Sequence, residues 1–178
     1  MPLLQDIKHL AILMPSWVGD IVMASYVWKM ARSTFPNAKI TAIIRPHLAP
    51  LLEKVEEIDN VLELEMKSSV FAARKKLKAI NADAVVLLPN SIRSAIIAKL
   101  SGIPIRCGYK RDWRSWLLTD GVEVEKSLTP TPTSAYYLHL ANTLFEMDEQ
   151  NALPSMKTSD VKPEILHGMS TPLVLLVA

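Results

Sequence analysis

From His9 to Tyr109 the chain alternates short, continuous apolar runs with longer stretches in which apolar residues recur every three or four positions. The first run, Leu10 to Met14, ends at Pro15, which cannot donate to a sheet ladder. Ile21, Val22, Ala24, Val27, Trp28 and Ala31 then fall at helical spacing. Lys29 and Arg32 sit near the end of that helix, where cations suit its dipole, and Phe35-Pro36-Asn37 stops it. Lys39 to Ile44 predicts a second strand, and Pro46 to Val55 a helix with proline in its first turn. Val61 to Met66 alternates apolar and acidic residues, the pattern of a half-exposed strand. Ser68 or Ser69 can cap a helix running to Ile80, with Arg74, Lys75, Lys76 and Lys78 on its wet side. Ala82 to Leu88, apolar at every position but Asp83, reads as a central parallel strand buried on both faces. After Pro89-Asn90-Ser91 comes a helix over Ile92 to Leu100, ended by Ser101-Gly102. Ile103 to Tyr109 and Gly121 to Glu125 read as strands, and Ser134 to Met147 as a last helix.

Repeated alternation of strand and helix predicts an α/β fold, a Rossmann-like doubly wound parallel sheet. A barrel of eight such units needs about 250 residues, more than the 178 present. After Met147 the pattern changes. Asp148 to Pro172 is polar, carries Pro154, Pro163 and Pro172, and reads as a linker. Leu173 to Ala178 then resembles a buried strand, and a parallel strand without a following crossover is an unusual end. The expected layout is a domain over 1–147, a linker over 148–171, and the first strand of a second domain over 172–178. On this reading the chain is a fragment of a longer two-domain protein.

Composition narrows the classes. A 49% apolar content supports a sizeable core, and a formal charge of +2 gives no support to nucleic acid as a partner. The single cysteine, Cys107, excludes an internal disulfide and fits a reducing cytoplasm. No apolar run approaches the roughly 20 residues needed to span a bilayer, and the N-terminus lacks a signal-peptide layout. The expectation is a soluble cytoplasmic protein, with membrane contact only at its surface.

In an open parallel sheet, ligands bind outside the carboxyl ends of the strands. Candidate chemistry is therefore sought in the turns there. Asp20, the only carboxylate between Asp6 and Glu53, lies in the first such turn. It reads either as a cap or first-turn carboxylate favoured by the helix dipole, or as a base at the mouth of the sheet. Gly19 permits close backbone approach. Ser16 can cap or touch a ligand, and Trp17 is a core residue or a stacking platform. Asn90, Ser91 and Arg93 follow the most buried strand, so they belong to the same edge. They read as caps beside an exposed cation, or as ligand contacts. Lys110, Arg111 and Arg114, with Arg106, are interleaved with Tyr109, Trp113 and Trp116. Such a segment is a solvated face or a site for an anion or sugar. The four histidines lack metal spacing, and the nucleotide-phosphate and serine-nucleophile motifs are absent. No metal or cofactor is expected. From the residues alone, a non-catalytic α/β module that binds an anionic glycan or nucleotide stays open beside an enzyme, and a flavodoxin-like phosphate-cofactor domain behind both.

The stretch ILMPSWVGDIVMA, from Ile12 to Ala24, and the stretch AVVLLPNSIRSAIIAKLSGIPIRCGY, from Ala84 to Tyr109, together resemble glycosyltransferase family 9, the lipopolysaccharide heptosyltransferases. The PSWVGD turn, the LPNS turn with a basic residue two positions on, and the SGIP-x-R-x-GY strand match in order and spacing. The resemblance covers roughly residues 10 to 147 and is specific as a set. It implies a GT-B architecture, with paired Rossmann-like domains facing a cleft. The N-terminal domain would bind the acceptor, the lipopolysaccharide inner core on lipid A. The second domain, beyond this chain, would bind ADP-heptose. The resemblance assigns Asp20 as the general base of an inverting transfer, and a chain lacking the donor half is expected to be inactive alone. Ser16, Trp17, Gly19, Asn90, Ser91, Arg93, Lys110, Arg111 and Arg114 would contact the acceptor. The basic residues are assigned by charge and position more than by motif.

Overall fold

A computed structural model describes residues 4, 6–65, 68–124, 132–149 and 154–156. The strands are β1 (His9–Leu13), β2 (Lys39–Ile44), β3 (Asn60–Glu63), β4 (Ala84–Leu87), β5 (Ile105–Tyr109) and β6 (Asp120–Val122). The helices are α1 (Val18–Met23), α2 (Ser25–Thr34), α3 (Val70–Ile80), α4 (Ile92–Leu100) and α5 (Thr133–Phe145). All six strands pair in parallel, in the order β3-β2-β1-β4-β5-β6. This is the expected Rossmann-like sheet. The expected linker and second-domain strand lie outside the described residues, apart from 148–149 and 154–156.

The period-two alternation of strand side chains divides the core into two layers. Leu10, Ile12, Ile40, Ala42, Val86 and Cys107 pack with α2 and α5 on one face. Ala11, Leu13, Ile43, Val85 and Leu87 pack with α3 and α4 on the other. The central strands β1 and β4 are buried at every position, which is why they read as unbroken apolar runs. Edge strand β3 is mostly exposed, as its acidic alternation requires. No described helix is long and apolar enough to cross a membrane.

Two elements differ from expectation. The helix predicted after Gly19 is two helices, because the Ala24 N–H bonds back to both Asp20 and Ile21 and tightens the chain. Ser25, at the start of α2, is fully buried, and its hydroxyl accepts the Ser155 N–H at 3.1 Å. Pro46–Leu52 is a 3-10 helix rather than an α-helix. Pro50 inside it has no N–H for an α-helical ladder.

The first strand is locked at its start by a polar knot. Asp83 accepts the Lys8 and His9 N–H groups at 2.9 and 2.8 Å, and His9 Nε2 lies 2.8 Å from Thr41 Oγ1. Burial lowers the His9 pKa below 6.5, Lys39 adds to this, and Asp83 opposes it. The unfolded chain therefore binds more protons than the folded one below pH 6.5. Stability from this group is present above 6.5 and is lost as the pH falls from 6.5 through the folded value. The urea midpoint should fall between pH 7.5 and 5.5 by more in the wild type than in His9→Gln. Equal falls in the two proteins would place the pH dependence elsewhere.

Candidate functional site

β1 and β4 are direct neighbours, with Leu13 beside Leu87. From these adjacent ends the chain departs in opposite directions. The connection after β1 crosses to β2 through α1 and α2 on one face, and that after β4 crosses to β5 through α4 on the other. The opening between diverging crossovers is the switch point at which such sheets bind ligands. The two turns singled out in the sequence, after Met14 and after Leu88, are the two sides of this opening.

The first turn is poorly covered. Trp17 is 76% exposed and Val18 is also exposed, while Ser16 and Gly19 are half-buried. Trp17 occupies the cap position of α1, but no side chain caps that end. A Cβ on Gly19 would meet only Met23 Cε, at 3.8 Å, so packing does not demand glycine there. Asp20 lies in the first turn of α1, half-buried. Among the described residues its carboxylate accepts no hydrogen bond and forms no ion pair. It does not cap the helix. On the inner side stands Tyr137 of α5, whose phenol pKa is raised by burial, then by the Asp20 carboxylate and Tyr136.

The second turn is engaged inward. Ser91 caps α4, accepting the Ser94 N–H at 3.2 Å. Asn90 accepts from Arg114 Nη2 at 3.1 Å and donates to the Tyr136 hydroxyl at 2.9 Å. Arg93 donates to the Ser68 carbonyl. Arg114 is fully buried. Its Nε donates to the Tyr109 carbonyl at 3.0 Å, and Nη1 donates to the Pro89 carbonyl. Burial lowers the Arg114 pKa, while Tyr136 and Asp112 oppose that. The Tyr109 hydroxyl donates to the Tyr136 carbonyl at 2.7 Å and lies 2.8 Å from His139 Nδ1. One network thus ties the ends of β4 and β5 to α5. Gly108 belongs to it by default of a side chain: a Cβ there would stand 2.9 Å from the Leu87 carbonyl and 3.1 Å from Arg114 Nη2.

The structure therefore separates residues that were grouped by charge. Arg114 stands behind the turn, with its guanidinium directed to the protein's own carbonyls. Lys110 pairs with Glu123 at 2.8 Å. Arg106 donates to the Leu117, Ile103 and Pro104 carbonyls. Arg111 and Trp113, the latter 91% exposed, remain at the surface of the β5 end. Arg45, which directly follows β2 at the same edge, and Tyr136 and Tyr137 of α5 are not among the residues singled out in the sequence. For Arg45 the available signal was its place directly after an apolar run. The tyrosines gave none, since α5 reaches the opening only through the fold.

Among the described residues, no group of three or more His, Cys, Asp or Glu gathers in a way that could hold a metal ion.

The family model for glycosyltransferase family 9 (heptosyltransferase) matches residues 70–170. The Escherichia coli (strain K12) protein named lipopolysaccharide heptosyltransferase 2 is 28% identical over 128 residues, which is 68% of this chain and 37% of that one. The solved structure of E. coli ADP-heptose LPS heptosyltransferase II superposes with a TM-score of 0.69 at 25% identity, covering 85% of this chain and 47% of that chain. A family 9 glycosyl transferase from Veillonella parvula DSM 2008 shares the fold, with a TM-score of 0.73 at 18% identity. The chain thus spans well under two thirds of the length of these relatives.

Proposed function

This chain belongs to glycosyltransferase family 9, the heptosyltransferases, and from that premise we propose that it is the acceptor-binding part of an enzyme that transfers heptose from ADP-heptose to the inner core of lipopolysaccharide. Residues 1–147 form the acceptor domain in this reading, 148–171 the linker, and 172–178 the start of the donor domain. The observation that carries it is the carboxylate of Asp20, without hydrogen bond or ion pair among the described residues, at the switch point between β1 and β4.

The reaction is an inverting displacement. The acceptor hydroxyl oxygen attacks the anomeric carbon of the heptose, and the new glycosidic bond forms as the bond to the ADP phosphate breaks. ADP leaves with the electron pair, and Asp20 takes the hydroxyl proton. The hydroxyl becomes acidic only as bonding to the sugar develops, so a carboxylate serves as base although it is weak toward a free alcohol. The same negative charge stabilises an oxocarbenium-like transition state. Trp17 offers a flat apolar surface to a sugar ring, and Gly19 leaves room for close approach. Arg111 is available to an acidic group. Because lipid A anchors the acceptor, the reaction takes place at the surface of the inner membrane.

The test is a transfer assay with ADP-heptose and a heptose-primed core acceptor, on the chain extended to the length of its relatives. ADP release that requires the acceptor supports the reading, and its absence overturns it. On this chain alone, calorimetric titration with core oligosaccharide should show saturable binding without turnover. A non-catalytic glycan-binding module would give the same titration, but no transfer in the longer protein.

A further inference from the structure

Buried polar atoms in folded proteins nearly always have a hydrogen-bond partner, so an exception calls for an explanation. Among the described residues there are two exceptions, Arg45 Nε and the Ser68 hydroxyl. Both belong to the carboxyl edge of the sheet. Arg45 directly follows β2, and Ser68 lies in the turn between β3 and α3.

The register brings their segments together. β2 and β3 run in step to Ile44 and Glu63, and the Leu64 N–H continues the ladder to the Ile44 carbonyl at 2.8 Å. Arg45 therefore sits beside Leu64, at the start of the turn that carries Ser68. Two residues beyond Ile43, Arg45 points to the same side of the sheet as Ile43 and Leu64, the side covered by α3. Arg93 of α4 donates to the Ser68 carbonyl and ties that turn to the end of β4. Toward the centre of the sheet, the Met14 N–H bonds the Ile43 carbonyl at 2.9 Å. This keeps β1 and β2 in step and sets Pro15 next to Arg45, so Arg45 borders the PSWVGD turn.

The chemistry of the pair is one-sided. A guanidinium has donors only, and a serine hydroxyl can add a donor. Most described arginines have their guanidinium engaged by the protein: Arg32, Arg74, Arg93, Arg106 and Arg114 all donate to oxygens of the chain. Arg45 makes no side-chain hydrogen bond or ion pair among the described residues. Burial of a charged donor without an acceptor costs free energy that an anionic oxygen would recover, and arginine suits carboxylate and phosphate in geometry as well as charge.

We propose that Arg45 and Ser68 form an oxyanion subsite, in which Arg45 Nε–H and the Ser68 hydroxyl donate to a carboxylate or phosphate oxygen of the acceptor, next to the sugar that presents its hydroxyl to Asp20. The identity of that ligand rests on the function proposed above, while the anion preference rests on the two orphaned donors. The subsite makes acidic decoration of the acceptor a requirement for tight binding.

The experiment follows the Arg45 Nε–Hε resonance of this chain during titration with inorganic phosphate. It also compares the affinity for core oligosaccharide in intact form with that for the same material dephosphorylated and carboxyl-reduced. The intact form should bind about ten-fold tighter or more, the scale of one charge-assisted hydrogen bond. Arg45→Lys keeps the charge but lacks Nε–H. It should lose most of that advantage while binding the neutralised oligosaccharide as the wild type does. Ser68→Ala should lose a smaller part. Equal binding of the two oligosaccharides, or an Arg45→Lys variant that keeps the full preference, overturns the subsite and leaves water alone as the partner of the orphaned atoms. Binding of intact oligosaccharide without any effect of Arg45→Lys removes the subsite but spares the proposed function. A phosphate-dependent shift of the Arg45 resonance in a chain that binds no oligosaccharide does the reverse.

Discussion

In the chain extended to its relatives' length, Asp20→Asn should lower kcat for the proposed heptose transfer by about two to four orders of magnitude, the usual contribution of a positioned general base. The Michaelis constants for donor and acceptor should change little. The amide keeps the shape and polarity of the carboxylate but cannot take a proton. It also removes the negative charge that, in the proposed mechanism, faces the developing positive charge on the sugar. Asp20 has no hydrogen bond or ion pair among the described residues and caps no helix. The substitution therefore breaks no hydrogen bond and loses only the favourable placement of a charge in the first turn of α1, so the variant's stability should stay within about 1 kcal/mol of the wild type. That combination separates a chemical role from a structural one. If Asp20→Asn keeps kcat within about three-fold in the chain extended to its relatives' length, proton transfer lies with another group or with water.

Arg114→Ala should destabilise the fold by about 3–5 kcal/mol, a large share of the stability of an ordinary domain. Three acceptors lose their donor: the carbonyls of Tyr109 and Pro89 and the side-chain oxygen of Asn90. Each unsatisfied acceptor costs about 1–3 kcal/mol, reduced where water enters the vacated space. The loop that carries Arg114 adds to the loss. Asp112 and Trp113 both hold positive φ angles, +52° and +58°, which side-chain-bearing residues adopt at a cost. Arg114→Lys keeps the charge but replaces a planar fork with a single ammonium, so it should recover only part of the loss. Denaturant unfolding with an unchanged slope is the measurement. A midpoint within experimental scatter of the wild type would show that the network contributes nothing.

The two predictions bear on how much of the molecule could be read from its residues. The sheet was legible because parallel strands buried on both faces leave a plain mark. His9–Leu13 and Ala84–Leu87 are apolar at nearly every position, and the helices between them carry a clear face. The shared edge of the PSWVGD and LPNS turns followed from topology, since all parallel strands end on one side. The fate of individual cations did not follow. Arg111 and Arg114 lie three residues apart in one basic segment, yet one is at the surface and the other is fully buried on backbone carbonyls. No local pattern distinguishes them, because the acceptors for Arg114 come from β5 and from the turn after β4. The helix break at Ala24 was hidden for a similar reason. Neither glycine nor proline marks it, and the burial of Ser25 depends on contacts far along the chain. Arg45 was overlooked because a lone arginine after a strand looks like an ordinary solvated charge until the burial of its Nε is known.

The strand order has a further consequence, for the chain as it is made. β1 lies in the middle of the sheet, and its second neighbour β4 ends at Leu87. During synthesis at about 5–20 residues per second, β1 waits on the order of several seconds for that partner. Through that interval one edge of His9–Leu13, an apolar strand, has no strand beside it. Premature release before Leu87 yields a nascent chain with this edge open, the kind of species that chaperones bind and that otherwise aggregates. The central position of β1, which brings Asp20 to the switch point, also makes the segment from β1 to β2 dependent on residues synthesised later.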